Sequence, residues 1–124
     1  MITVPTETRT NLVGLPNGPT NKYFTERGYS QSYPWKMLKQ SASGKTLTLA
    51  RVKTQPDPAW KDKINFIPGG FSAQCSNQNQ QTWLYDGIQT DHTITIRKNK
   101  RGIWMNKGVK FSEDVAVYFY DYNF

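Results

Sequence analysis

The run Thr93-Ile94-Thr95-Ile96-Arg97-Lys98-Asn99-Lys100-Arg101 sets the tightest limit on what this chain can become. Successive side chains of a strand point to opposite faces, so Ile94 and Ile96 share one face and Thr93, Thr95 and Arg97 the other. Lys98, Lys100 and Arg101, followed by Gly102, then fall where the chain must reverse, because no sheet interior can hold them. The pattern is that of a rigid β-scaffold with positive charge concentrated at a hairpin tip.

The rest of the chain agrees with β-structure. No segment repeats apolar residues at helical spacing over ten residues, so little helix is expected. Ser32 to Lys39 alternates Tyr33, Trp35 and Met37 against Pro34, Lys36 and Leu38. Pro34 cannot donate to a ladder, which predicts an edge strand or one that begins at the proline. Ser41-Ala42-Ser43-Gly44 then turns the chain into a second strand, Lys45 to Lys53, and the two form a hairpin.

Thr54 to Gly70, with Pro56, Pro58 and Pro68, is a long connection that Trp60 anchors to the core. Phe71 to Cys75 is a short strand, and Gln80 to Tyr85 another that ends in the turn dipeptide Asp86-Gly87. Ile103 to Asn106 and the Lys107-Gly108 turn lead to a last strand, Val115 to Tyr122. That strand carries Val115, Val117 and Phe119 on one face and Ala116, Tyr118, Tyr120 and Tyr122 on the other. The second set is an aromatic ladder, either packed under another element or exposed as a platform.

Short strands at this spacing predict an all-β domain over residues 29–124, a small SH3-like partly open barrel or sandwich. Residues 1–28, with Pro5, Gly14, Pro16, Gly18, Pro19 and Gly28, read as an extended N-terminal arm. The first residues lack both a cationic leader segment and an apolar one, and no apolar run is long enough to span a bilayer, so a soluble chain is expected.

Charge points to the kind of partner. The net charge is +7, which favours an acidic one: nucleic acid, a nucleotide or an acidic protein face. From Glu26 to Lys53 six cations stand against one anion, and from Ile94 to Phe124 six against three, whereas Thr54 to Thr93 holds two against four. If the two cation-rich hairpins are neighbours, one face is basic. The candidate ligand-binding set is Arg97, Lys98, Lys100 and Arg101, extended by Lys36, Lys39, Lys45, Arg51 and Lys53. Trp35 and Tyr29 would stack on a base or anchor an apolar group.

Catalytic material is thin. His92 is the one histidine and Cys75 the one cysteine, so no intrachain disulfide and no thiolate metal cluster can form. A His92–Cys75 pair is the sole nucleophilic arrangement on offer, and a structural role for each is the simpler reading. No cofactor and no metal is expected. The run Asn77-Gln78-Asn79-Gln80-Gln81 is a polar loop, with amides available to a ligand or partner.

Several spaced segments resemble small β-proteins encoded by bacteriophages and prophages. They are Tyr23-Phe24-Thr25-Glu26-Arg27, Tyr33-Pro34-Trp35-Lys36, Ser43 to Leu49, Gln81-Thr82-Trp83, Ile96-Arg97-Lys98, Gly102-Ile103-Trp104 and Tyr118 to Phe124. The resemblance covers residues 23–124 and implies a phage origin and a β-fold, without an activity. Two roles suit such a chain. One is a non-enzymatic inhibitor of a host defence system, acting in the host cytoplasm by blocking a nucleic-acid-binding protein or sequestering a nucleotide. The other is a virion or assembly protein, a possible homo-oligomer, whose arm wraps a neighbour.

Overall fold

A computed structural model describes residues 8–18, 20–67 and 74–122. In chain order the strands are β1 (Arg9–Thr10), β2 (Leu12–Val13), β3 (Tyr23–Arg27), β4 (Ser32–Gln40) and β5 (Thr46–Pro56). A single helical turn, α1 (Pro58–Lys61), precedes β6 (Phe66–Ile67) and β7 (Gln74–Cys75). After a short 3₁₀ turn come β8 (Trp83–Lys98), β9 (Trp104–Asn106), β10 (Val109–Glu113) and β11 (Val115–Ala116). The chain is all-β.

Six antiparallel strands follow one another around a ring: β3, β4, β5, β8, β9 and β10, with β10 pairing back to β3. The ring therefore closes on itself and leaves no free edge within it. Phe24, Trp35, Leu47, Leu49, Ile96, Trp104 and Phe111 fill its interior, all 6 % exposed or less. Ile94 packs against them, as the alternation of Thr93 to Arg97 requires. Lys107 and Gly108 both have positive φ, 47° and 82°, the geometry of a tight turn whose twist suits the β9–β10 hairpin.

A second core lies outside the ring. Tyr23 and Thr25 point away from Phe24 yet are fully buried, so β3 is covered on both faces. Tyr23 joins Leu12, Leu15, Val52, Trp83 and Ala116 under the chain ends. β2 runs parallel to the start of β8, and β1 runs parallel to β11. Asp114 makes this layer possible: its φ of 59° swings the chain off β10 and out of the ring.

Beyond β11 the chain stays extended and is held mainly by side chains. The Thr10 hydroxyl donates to the Ala116 carbonyl, and the Val117 N–H donates to the Thr25 hydroxyl. Asn11 bonds both the N–H and the C=O of Tyr118, at 3.1 and 2.8 Å. Gln81 does the same for Tyr120, at 2.9 and 3.0 Å, and Gln78 accepts from the Tyr122 N–H. A side-chain amide carries the same donor and acceptor as a peptide, so these residues stand in for a missing strand.

Several sequence expectations are corrected here. β4 is central, not an edge: Pro34 sits opposite Thr25 on β3, and the β5 register begins one residue later, at Trp35, so no ladder bond is lost. Asp86-Gly87 is no hairpin turn but a bulge within the continuous β8, where the two oppose Lys53 alone between the Thr54↔Tyr85 and Val52↔Ile88 pairs. Gly87 has the positive φ that a turn would have needed, 92°. The last strand stops at Ala116. Tyr118 packs edge-on against Trp83 at 4.4 Å and Tyr122 lies 6.0 Å from Trp60, so these rungs of the aromatic ladder are packed, whereas Tyr120 is exposed. The arm gives up Tyr23–Arg27 to the ring, and its residues from 8 onward fold back onto the domain. Trp60 is 1 % exposed and anchors its loop as expected, while residues 71–73 of the expected short strand lie outside the described residues.

Two outcomes follow from this packing. Gln81 is 3 % exposed and also accepts from the Trp83 indole N–H, so Gln81→Leu strands the indole and both polar groups of Tyr120. At about 1–3 kcal/mol for each unpaired buried group, we expect a loss of about 3 kcal/mol in urea unfolding, with faster hydrogen exchange at Tyr120. An unchanged midpoint would show that water replaces the amide. The second outcome concerns Tyr23, whose phenol donates to the Pro16 carbonyl and whose pKa is pushed up to about 12 by burial and, less, by Tyr85. Folding favours the neutral phenol, so this stability is intact below pH 10 and is lost as pH climbs through about 12. Unfolding free energy should fall by about 2–3 kcal/mol over that interval, and Tyr23→Phe should flatten the fall.

Candidate functional site

The β4–β5 and β8–β9 hairpins end side by side, because β5 and β8 are hydrogen-bonded partners. Thr46 sits directly opposite Arg97, and the Lys98 N–H donates to the Lys45 carbonyl at 3.0 Å. Lys39, Lys45, Arg97, Lys98, Lys100 and Arg101 are all exposed around these two tips. None of them forms an ion pair among the described residues, where Lys22 instead pairs with Glu113. The Lys22 ammonium holds the Glu113 carboxyl below its ordinary range through a hydrogen bond, with Lys98 adding a smaller electrostatic pull.

The β8–β9 loop is built rather than slack. Asn99 donates its N–H to the Ile103 carbonyl, and its carbonyl accepts from Gly102, both at 2.9 Å. Its side-chain oxygen accepts from the Arg101 and Ile103 N–H groups at 2.9 and 3.0 Å, and its amide nitrogen reaches the Met105 sulfur. One side chain thus organises the whole turn, and Gly102 supplies the positive φ of 81° that closes it. Lys100 and Arg101 are thereby displayed from a fixed backbone. The Lys98 ammonium lies 5.6 Å over the Trp104 ring, whose buried indole N–H makes no well-aligned hydrogen bond yet lies close enough to the Glu113 carboxyl to help hold it below its ordinary range.

Sequence reasoning missed two members of this site, Asn99 as its organiser and Lys110. The signal for Lys110 was present in the Lys107-Gly108 turn, which places Lys110 opposite Met105, itself opposite Arg97. Asn99, Lys100, Arg101, Ile103, Met105 and Lys110 line an open recess of about 410 Å³. It can admit an oxyanion between Lys100, Arg101 and Lys110. No aromatic ring is among its walls.

The other expected site residues do not join it. Trp35 is 2 % exposed, inside the ring, with its indole bonded to the Glu26 carboxylate at 3.0 Å, so it cannot stack on a ligand. Tyr29 is 99 % exposed, but at the β3–β4 turn, the opposite end of β4 from the cationic tips. At about 3.3 Å per residue, nine residues of strand keep the two apart by roughly 26 Å. Lys36 is half-buried on the outer face between Tyr23 and Ala50. Lys53 is exposed beside the Asp86-Gly87 bulge. Arg51 points inward onto Tyr33.

Cys75 is buried and its thiol donates to Asn77, whereas His92 packs edge-on against Trp35 at 5.2 Å. The two stand on different elements with different partners. The Asn/Gln run turns its amides onto this chain: Gln78 and Gln81 hold the C-terminal segment and Asn77 holds residues 63–65. Among the described residues no group of three His, Cys, Asp or Glu side chains is placed to hold a metal, and no helix is long and apolar enough to cross a membrane. Comparison of the chain with protein-family models, curated proteins and solved structures gives no match.

Asn99→Ala tests how the site is built. It leaves two loop N–H groups without their acceptor, so stability should drop by about 1 kcal/mol. Hydrogen exchange should quicken at Arg101 and Ile103 and remain unchanged at Ile96. Exchange that stays slow at both loop amides would show that the backbone holds the turn without this side chain.

Proposed function

We propose that this is a non-enzymatic binding protein whose paired hairpin tips engage a polyanion, with the phosphate backbone of nucleic acid as the preferred partner. One observation supports the reading above others: Lys45, Arg97, Lys98, Lys100 and Arg101 come from two hydrogen-bonded hairpins and remain exposed, none of them in an ion pair among the described residues. Each cation that neutralises a phosphate releases a condensed counterion, which makes the contact steeply dependent on salt. The absence of an exposed ring among the recess walls argues for contact with phosphates rather than bases, and so for weak dependence on sequence. In a phage, as the resemblance implies, such a surface would make the chain an inhibitor of host defence that blocks a nucleic-acid-binding protein by competing for its nucleic acid, or that sequesters a nucleotide.

The virion reading drew its support from an arm free to wrap a neighbour. The described part of that arm is used within its own fold, through β1, β2 and Leu15. That favours the binding reading.

The test is the double variant Arg97→Glu with Arg101→Glu. Both side chains are exposed and leave the core untouched, so thermal unfolding should shift by no more than a few degrees. Affinity for a fluorescent single-stranded oligonucleotide should fall about 100-fold or more at low salt, and the slope of log affinity against log salt should decrease by about 2. Binding equal to the parent at both salt concentrations would falsify the proposal.

A further inference from the structure

Arg51 occupies a second place where charge meets aromatic rings, remote from the hairpin tips and resting on different observations. It continues the inward row of β5 after Leu47 and Leu49, opposite Trp35 on β4 and Gln89 on β8. Leu47 and Leu49 are at most 3 % exposed, so the guanidinium lies where the packed interior ends. It stacks 4.2 Å over the Tyr33 ring and 5.5 Å from Trp35. Burial lowers its pKa, with Glu26, Tyr33 and Tyr118 opposing that shift.

What is missing is an acceptor. No hydrogen bond or ion pair to Arg51 occurs among the described residues, and the nearby Glu26 carboxylate accepts from the Trp35 indole instead. Among the described residues Trp104 alone has a buried polar side-chain atom without a partner, so the Arg51 nitrogens face solvent. The group therefore lies over a ring, partly dehydrated, with its donors unpaired among the described residues. Directly beside it β8 bulges: Arg51 pairs with Gln89 and Ala50 with Thr93, which pushes Thr90, Asp91 and His92 out of register. His92 is exposed and packs edge-on against Trp35. Bulges of this kind re-aim side chains and gather at the rims of barrels.

We propose that Arg51, stacked on Tyr33 at this rim, is a binding site for one oxyanion, a carboxylate or phosphate group that presents two oxygens to the guanidinium edge. The planar fork matches two such oxygens at once, and stacking has already restricted its rotation, so less freedom is lost when an anion binds. Asp91 and Glu26 are the acids that oppose the binding.

The probe is nuclear magnetic resonance of the ¹⁵N-labelled full chain, following the Arg51 Nε–H and the Trp35 and Trp60 indole signals. Inorganic phosphate and acetate are titrated in separate arms at constant ionic strength. The expected result is a saturable shift at Arg51 and Trp35 in at least one arm, with Trp60 still. The arm that saturates identifies the source, phosphate or carboxylate. Arg51→Lys keeps the charge and loses the fork, and should weaken saturation at least 10-fold, read at Trp35. The tip variant, Arg97→Glu with Arg101→Glu, should saturate as the parent does, which separates this site from the proposed polyanion surface. Linear, unsaturated shifts in both arms of the parent overturn the inference, whatever the variants do. Equal saturation in Arg51→Lys overturns it too.

Discussion

The backbone of residues 116–122 has strand-like polar groups and no strand on one side to receive them, and five side chains do so instead. Thr10, Thr25, Asn11, Gln81 and Gln78 take N–H or C=O groups of Ala116, Val117, Tyr118, Tyr120 and Tyr122 in turn, with Asn11 and Gln81 each serving both groups of one residue. A buried peptide group without a partner costs as much as a lost hydrogen bond or more, so the extended path past Ala116 exists only because these side chains are in place. The outer layer depends on that path. Tyr118 reaches Trp83 and Tyr33 from it, and Tyr122 reaches Trp60.

Because the tail is fixed, β3 is buried on both faces. Phe24 looks into the ring while Tyr23 and Thr25 look out beneath β11, and Thr25 bonds the Val115 carbonyl as well as the Val117 N–H. A small closed ring offers little interior volume, and this chain has only 36 % apolar residues to fill it. A second core on the outside of the same strands increases burial without adding strands to the ring. The cationic hairpins stand clear of that layer at the far ends of β4 and β8.

The elements that were legible in the sequence are those governed by local rules. Alternation at Thr93 to Arg97 gave the buried face and the charged tip. Gly44, Lys107-Gly108 and the clustered turn residues marked reversals that need positive φ or local hydrogen bonds. What was illegible depended on distant partners. Asp86-Gly87 has the same backbone requirement in a bulge as in a hairpin, and only the register with β5 decides between them. Val115 to Tyr122 alternates as a strand should, but its pairing with β1 ends at Ala116, and beyond it the described residues offer only a bridge at Phe119. For the site, cation positions along β4 and β5 looked equivalent in sequence. The register divides them: Lys39 and Lys45 go to the tips, Lys36 to the outer face and Arg51 to the rim of the interior.

That division matters for how charge is used. At the tips, ammonium and guanidinium groups are exposed on a backbone fixed by Asn99, so under the proposed function each would contribute a screened, additive attraction to a partner with many charges. At the rim, a single guanidinium lies over a ring, partly stripped of water and without an acceptor among the described residues, an arrangement whose value lies in geometry rather than in number. A polymer of phosphates rewards the first arrangement and a lone oxyanion the second. Under the two proposals the same side-chain chemistry would serve two recognition tasks, and the difference between them comes from which face of the strand each cation occupies.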